Sequence, residues 1–580
     1  MWRITAWGGL AALLWTLLCV RWWDVAGPFR PAWLEALPVT PLALGLALAL
    51  GVWLAGRFRD LAGPPVPARR GALLLVVALA VLFRLPLAMR GAEGYTTADA
   101  ALSGIVALHA REGVAHHVFV PSVPYSGSLK SHLAALLSLI PGLDLAQAFA
   151  LASVLFYALF AAGVFRLAGL VARPGREEAT ALGAGLWAAF APTFVTLYSL
   201  SNDGNYVEVL AFGAWALLFA CRFLGEQAPR RRLALGIGLL LGLGFWAHIL
   251  AIVHCVAIGL ALALAAGRRG WRVLPHLAAG FALGDLPGLL WNATNGWGSF
   301  LYLVPEHWSG AGRPVTESAG PGVLERLRLL LTDQAPVLFG YDPGYPPAGD
   351  ALSRGLAWLG LLTAAAALLV AARIAVREAL ANRRLTPLGV LVAFVGVNAA
   401  VAVLALSYIP GNPRYVLFSF AVFAPLVARL LDSGRRRLLL AALVCFGALG
   451  SLGQARAKLE EASAWRALVG RLEAEGVRHC YSDFYQSTRI TFLSEERVLC
   501  SSKLGPTTTE YFMDYRPRVD AAADVAIVAV NAYSASRMER KLRELGVAYE
   551  RIDLLKPVLL RLSRRVDPSE LFPGRELSPR

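Results

Sequence analysis

Apolar runs of bilayer-crossing length recur along most of this chain, divided by short polar stretches, until the pattern changes near residue 476. A helix crosses a bilayer with about 20 apolar residues, or somewhat fewer when short. By that measure the sequence predicts spans near 5–21, 41–56, 71–89, 146–168, 181–199, 206–223, 233–247, 249–265, 274–291, 353–372, 387–408, 415–431 and 437–454, about 13 in all. The run 233–265 is unbroken and has Arg clusters at both ends. It predicts a tight hairpin of two short helices turning near Trp246 and His248. Beyond residue 476, alternating β-branched and aromatic residues take over: GVRHCYSDFY, ITFLSEERVLCSS and DVAIVAVNA, then a helical SASRMERKLRELG and VAYERIDLLKPVLLRL. Strands alternating with helices predict a small α/β domain.

Composition agrees. The chain is 57% hydrophobic and 16% charged, with a mean hydropathy of +0.56, whereas soluble domains carry about 25% charged residues. The net charge of +16 raises nucleic acid as a partner, but the arginines form no single basic face of the kind that partner needs. They cluster between apolar runs instead, at Arg57/Arg59/Arg69/Arg70, Arg230/Arg231/Arg232, Arg268/Arg269/Arg272, Arg383/Arg384 and Arg435/Arg436/Arg437. Basic residues gather on the cytoplasmic side, so the expected topology has the N-terminus cytoplasmic and everything after residue 455 outside. The first run has a basic start, no small-residue cleavage site and a closing RWWD; it reads as a retained span rather than a signal peptide. No internal repeat is evident. The expected fold class is an α-helical polytopic membrane domain over 1–455 with a periplasmic α/β domain over 456–580.

This orientation places two long segments outside, 90–145 and 292–351, and long loops in compact proteins are usually functional or disordered. The first contains GYTTADAALSGIVALHAREG. Its Leu102, Ile105, Val106 and Leu108 recur at helical spacing, Thr96 or Thr97 can cap the start, and Gly113 can end it. The expectation is a short amphipathic helix at the outer membrane surface. Asp99 falls in its first turn, where the macrodipole alone favours an acid.

Other polar groups are expected on the same face: Tyr125 and Lys130 in YSGSLK, Asp203 and Glu208 in SNDGNYVEV, His248, Asn292, and Arg414 with Tyr415 in NPRYVLF. Asp285 lies inside a predicted span, and an intramembrane acid is a functional candidate by default. His116 and His117 are a weak metal signal without a third spaced ligand. Asn292-Ala-Thr294 reads as a chance sequon. Cys19, Cys221, Cys255 and Cys445 fall in spans and act as small apolar residues. Cys480 and Cys500 are the two cysteines of the outer domain, and an oxidising compartment permits a disulfide between them.

FRLPLAMRGAEGYTTADAALSGIVALHAREG, YSGSLKSHLAALLSLIPG, GFALGDLPGLLWNATNGWGSF, NPRYVLFSF and YSDFYQSTRITFLSEERVLC occur in an order that resembles the GT-C superfamily of integral-membrane glycosyltransferases. The likeness is nearest the family 39 type, with protein O-mannosyltransferases and the lipid A aminoarabinose transferase. It runs over nearly the whole chain. It implies a catalytic Asp in the first outer loop, matching Asp99, and a polyprenyl-phosphate-linked sugar donor. Many relatives have Asp-Glu here, but this chain has Asp99-Ala100. The second acid is therefore unassigned, with Asp203 and Glu208 as candidates, and a divalent metal is an open expectation. The implied chemistry needs a general base for the acceptor hydroxyl, in the role of Asp99. It also needs cations for the leaving phosphate, from Lys130, Arg84, Arg326, Arg328 or Arg414. Tyr125, His248, Asp285, Asn292 and Tyr415 are substrate-binding candidates. The acceptor is a lipid, a glycan or a protein. A catalytically silent membrane scaffold and a transporter are the competing readings.

Overall fold

The computed structural model describes residues 67–201, 203–225, 231–270, 272–303, 321–341, 351–382, 385–405, 413–504, 510–554 and 557–571. The predicted spans 5–21 and 41–56 lie outside these residues. Among the described residues, seven helical segments are long and apolar enough to cross a membrane. They include α1 (Pro67–Tyr95, apolar from Arg70), and the sequence between it and the next span-length helix holds the loop expected to be the first outer one: α2 (Ala98–Glu112), a hairpin of β1 (Phe119–Val120) and β2 (Val123–Gly127), and α3 (Leu129–Leu137). Next comes α4 (Leu145–Leu170), opened by a reciprocal capping box between Asp144 and Gln147.

The predicted span 181–199 is two pieces, α5 (Glu177–Ala189) and α6 (Thr193–Tyr198). A break exposes carbonyls that lipid cannot satisfy, and Arg84 satisfies one of them. Its guanidinium, fully buried, donates to the Ala189 carbonyl at 2.7 Å, to Ala80 O at 3.2 Å and to Ser199 Oγ at 2.6 Å. It also lies 3.8 Å from the centre of the Tyr157 ring. Arg84 therefore caps a broken helix in the interior and is not available to a donor phosphate.

After α7 (Tyr206–Gly225), the run 233–265 breaks where expected. α8 (Arg231–Ala247) ends at His248, which is extended, and α9 (Ile252–Gly270) follows a single tight turn. The two do not pair along their length as a hairpin. α8 lies instead against α10 (Leu274–Gly284). Gly238, Gly242, Gly280 and Gly284 explain the choice: a Cβ on each would stand 2.0, 2.2, 2.2 and 2.3 Å from a backbone oxygen of the opposing helix. Small residues four apart let membrane helices approach this closely. The predicted span 274–291 also divides, at Asp285, between α10 and α11 (Leu286–Thr294), with Pro287 setting the new start. Three span-length helices follow: α12 (Ala351–Asn382), α13 (Pro387–Ala405) and the stretch Pro413–Leu431, which begins as a 3-10 turn and ends as α14 (Phe420–Leu431).

The last of the seven is α15 (Arg436–Ala474), 39 residues that run through the expected boundary at 455 without a break. It leads into a five-stranded sheet of order β4-β3-β5-β7-β6, built from β3 (His479–Tyr481), β4 (Leu499–Ser501), β5 (Val525–Ala529), β6 (Tyr549–Asp553) and β7 (Val558–Leu562). β3 is parallel to β4 and β5, and β7 is antiparallel to β5 and β6. Helices α16 (Phe484–Leu493), α17 (Tyr515–Ala521) and α18 (Ala532–Glu544) complete the α/β unit. The stretch ITFL, read as strand from its β-branched residues, is the end of α16; Asp483 caps the start by accepting from the Gln486 amide.

Cys480 and Cys500 are direct partners across β3 and β4, with Cα atoms 4.5 Å apart and a disulfide between them. Both are buried. Denatured, unreduced protein is expected to leave Cys480 and Cys500 unlabelled by maleimide and to expose both after reduction; labelling of both without reductant would contradict the pairing.

Candidate functional site

The apolar face of α2 is covered by protein. Every residue from Ala100 to Ala110 is buried, because the helix is enclosed by α3 and α4 on one side and by α16 on the other. Small residues permit this: a Cβ on Gly104 would stand 2.4 Å from the Phe492 ring. At its far end, His109 Nε2 lies 2.6 Å from Glu496, Tyr515 donates to the same carboxylate, and Arg111 pairs with Glu495 at 2.8 Å. Burial pushes the Glu496 carboxyl up, but hydrogen bonds from His109 and Tyr515 outweigh it and hold the group below its ordinary range. At the near end, Glu93 is bound by Arg466 of α15 at 2.7 Å. The C-terminal end of α2 is thus tied to the α/β unit, and the end of α1 just before α2 is tied to α15.

Asp99, in the first turn of α2, is exposed, as is Glu112 at the other end. The cap is made by Thr97, whose Oγ1 accepts from the Ala100 amide at 3.1 Å, which leaves the Asp99 carboxylate to face outward.

The hairpin beside it is fixed from below. The Asn205 side chain donates to Ser126 Oγ at 3.0 Å, to Ala247 O at 3.1 Å and to Gly127 O, and Ser126 bridges to His248. Asn205 sits at positive φ after Gly204, a backbone state in which Asn is among the few comfortable residues. It is the joint holding hairpin, α7 and the α8 break together. SNDGNY carries that signal as a turn-forming cluster, and Asn205 is among the polar groups the sequence places on this face.

Alternation along β2 then sends Tyr125 toward a cluster of aromatic rings. Its ring lies 4.8 Å from that of Tyr302 and 5.6 Å from His248. Burial raises the Tyr125 phenol most, with the Asp99 charge, Tyr511 and Tyr302 adding to it and Arg414 opposing. Burial also pushes Tyr511 up to about 12, helped by Asp99, Tyr302 and Tyr485. Asp99, Tyr125, Tyr302, Arg414 and Tyr511 therefore share one electrostatic field, and both phenols remain protonated donors at neutral pH. The Arg414 guanidinium is 5.8 Å from the Tyr206 ring centre and 6.0 Å from that of Tyr415.

The other expected residues lie elsewhere. Lys130 pairs with Glu208 at 3.1 Å, both side chains fully buried. Lys130 is consequently not placed to meet a phosphate, and Glu208 is not an open second acid. Asp203 begins the turn Asp203–Asn205. Arg326 donates to Pro321 O at 2.7 Å, and Arg328 pairs with Glu325 at 2.6 Å on a short exposed helix, Val323–Leu329; neither has a described contact with the Asp99 cluster. Asn292 is a buried staple, donating to Gly288 O at 2.8 Å and accepting from the Ser299 amide at 3.0 Å. His248 accepts from the Leu250 amide at 3.1 Å, as the cap of its turn, while its ring also lies 5.0 Å from that of Tyr206. Asp285 is buried at the α10–α11 break, and among the described residues its Oδ2 has no hydrogen-bond partner. His116 faces His132 and His117 faces His109. Among the described residues no three His, Cys, Asp or Glu side chains gather as metal ligands would. Among the described residues, those around Asp99 do not make up a divalent-ion site.

A polytopic helical membrane protein, with an acid, phenols and an arginine gathered between the loop after α1 and a C-terminal α/β unit, is the class this geometry defines. The chain has the GT-C fold. It is similar to the crystal structure of ArnT from Cupriavidus metallidurans bound to undecaprenyl phosphate, with a TM-score of 0.56 and 14% identity over 84% of this chain and 98% of that one. The apo state of the same protein gives a TM-score of 0.55 and 14% identity, covering 85% and 98%. The Archaeoglobus fulgidus oligosaccharyltransferase in complex with Zn and sulfate gives 0.46 and 11%, covering 84% and 73%. No family model matches the sequence, and no curated protein matches it significantly.

Proposed function

We propose that the protein is a membrane glycosyltransferase that moves a sugar from a polyprenyl-phosphate donor to an acceptor at the outer face of a bacterial inner membrane. One observation carries this reading: an exposed carboxylate, Asp99, heads a helix buried from Ala100 to Ala110, and its charge acts on the Tyr125 and Tyr511 phenols, with Arg414 opposing it at Tyr125, in a chain with the GT-C fold. The undecaprenyl phosphate of the ArnT structure supports a lipid-linked donor here.

In the reaction, Asp99 takes the proton of an acceptor hydroxyl as that oxygen bonds to the anomeric carbon. The bond from this carbon to the donor's phosphate oxygen breaks, and its electron pair leaves on the polyprenyl phosphate. Arg414 meets the charge that develops there, and the Tyr125 phenol donates a hydrogen bond toward it; preorganised donors of this kind are worth most in water-poor sites. Residues 1–455 form the membrane domain and 456–580 the periplasmic domain, with the N-terminus cytoplasmic.

The test is proteoliposomes of determined orientation, supplied with undecaprenyl-phosphate-linked mannose, glucose and aminoarabinose together with an envelope extract as acceptor. Release of undecaprenyl phosphate is expected from at least one donor, and only where the donor headgroup shares the C-terminal domain's side. Absence of both release and undecaprenyl phosphate binding would sink the reading.

A further inference from the structure

We propose that Tyr511 and Tyr485 of the C-terminal unit form a saccharide-binding row that seats the acceptor beside Asp99, so that the attacking hydroxyl belongs to a sugar ring. The proposal rests on the glycosyltransferase reading above and deepens it by naming the acceptor's chemistry.

The row is built from the start of α16 outward. Phe484 is buried, and its ring centre lies 5.4 Å from those of both Tyr485 and Tyr511, so the three rings form one bank on a rigid helix end. Tyr511 is fastened to the loop after α1, because Ser122 Oγ donates to its carbonyl oxygen at 3.3 Å. Ser122 belongs to the turn of the hairpin that carries Tyr125, which in turn meets Tyr302. The bank therefore stands against the hairpin that carries Tyr125, half-buried at Tyr511 and 63% exposed at Tyr485. The field of Asp99 reaches Tyr511, and that of Tyr485 does too.

Phenols graded from half-buried to exposed suit one kind of guest. A pyranose has an apolar C–H face that lies flat on an aromatic ring and a rim of hydroxyls that exchange hydrogen bonds with a phenol; tyrosine offers both at once. An acyl chain asks for aliphatic lining, which the row lacks. A peptide acceptor commonly adds to an open strand edge. Here α16 and α17 pack against β4, and the β6 edge, at the opposite side of the sheet, carries Glu550, Arg551 and Asp553.

Saturation-transfer NMR on the full-length protein in detergent micelles tests this, with maltotriose, cellotriose, mannotriose and chitotriose as soluble probes and a Ser/Thr-rich peptide as the contrast. At least one trisaccharide is expected to receive saturation at its ring C–H protons. Y485A and Y511A are expected to weaken that binding by about tenfold, the scale of one lost aromatic contact, with Y485F near wild type. Since Tyr485 is exposed, Y485A should keep the wild-type melting temperature. The idea fails if no trisaccharide binds, if both alanine variants bind like wild type, or if only the peptide binds in a Tyr485-dependent way. Saccharide binding with no turnover of any lipid-linked donor overturns the transferase reading alone, while turnover that ignores both tyrosines overturns this proposal alone.

Discussion

Asp99→Asn is expected to fold normally and to lose about a hundredfold or more of turnover, the usual scale for a missing acid–base group. Two explanations compete for this carboxylate. If Asp99 serves only the helix macrodipole, its removal costs about 0.3–1 kcal/mol and leaves activity alone. The geometry separates the two well. The cap belongs to Thr97, and α2 is held by contacts along its whole length, so little stability depends on Asp99. Asn keeps the size of Asp and still accepts hydrogen bonds, but it does not take a proton. Donor binding is expected to persist, since Arg414 is untouched. Purified Asp99→Asn protein that transferred sugar at the wild-type rate would remove Asp99 from the mechanism.

Lys130→Met is expected to destabilise the fold by about 3–5 kcal/mol, the cost of leaving one buried charge without its partner. Lys130 and Glu208 are each fully buried and 3.1 Å apart, joining the loop after α1 to α7. Glu208→Leu should cost a similar amount. The double variant K130M/E208L should recover most of the loss, because a well-packed apolar pair often replaces a buried ion pair at little cost. Unfolding in detergent with increasing denaturant gives all three values. Additive losses in the double variant would mean that the two charges do not act as a pair. Donor affinity per folded molecule is expected to stay unchanged, which distinguishes this structural role from the phosphate-binding role that the sequence suggested for Lys130.

That contrast shows what the sequence could and could not convey. Hydropathy located the long spans, because lipid leaves no other way to satisfy a backbone across its core. It overran the breaks at Phe190–Pro192 and at Asp285, where the residues stay apolar while the helix stops. Arg84 at the first break read as a membrane-end cation; its true partners lie 105 and 115 positions away and leave no mark in local spacing. The periodicity of α2 gave a helix correctly. Its enclosure by α16 was invisible, since an apolar face looks the same whether it meets lipid or protein. ITFL was taken for a strand on β-branching, a weak preference that the Asp483 cap and tertiary contacts override. Asp99 and Tyr125 stand in a polar segment and Arg414 just before an apolar run, so the sequence marks them as candidates. Tyr302 and Tyr511 carry no such mark, because only the fold brings residues so far apart in sequence to one place.

The join between membrane and C-terminal domain is itself a helix. The 39 residues of α15 span about 58 Å at 1.5 Å per residue, close to twice the roughly 30 Å of a hydrocarbon core. Its apolar half ends near Leu452, and its polar half continues to the first strand of the sheet. The α/β unit thus stands on a strut, with no linker to swing on, and its bearing is set by residue count. One extra residue in the polar half would turn everything above it by about 100° and carry Tyr511 away from Asp99, although every side chain in the site would remain. In this protein the length of a helix with no catalytic residue is a condition for the site to exist.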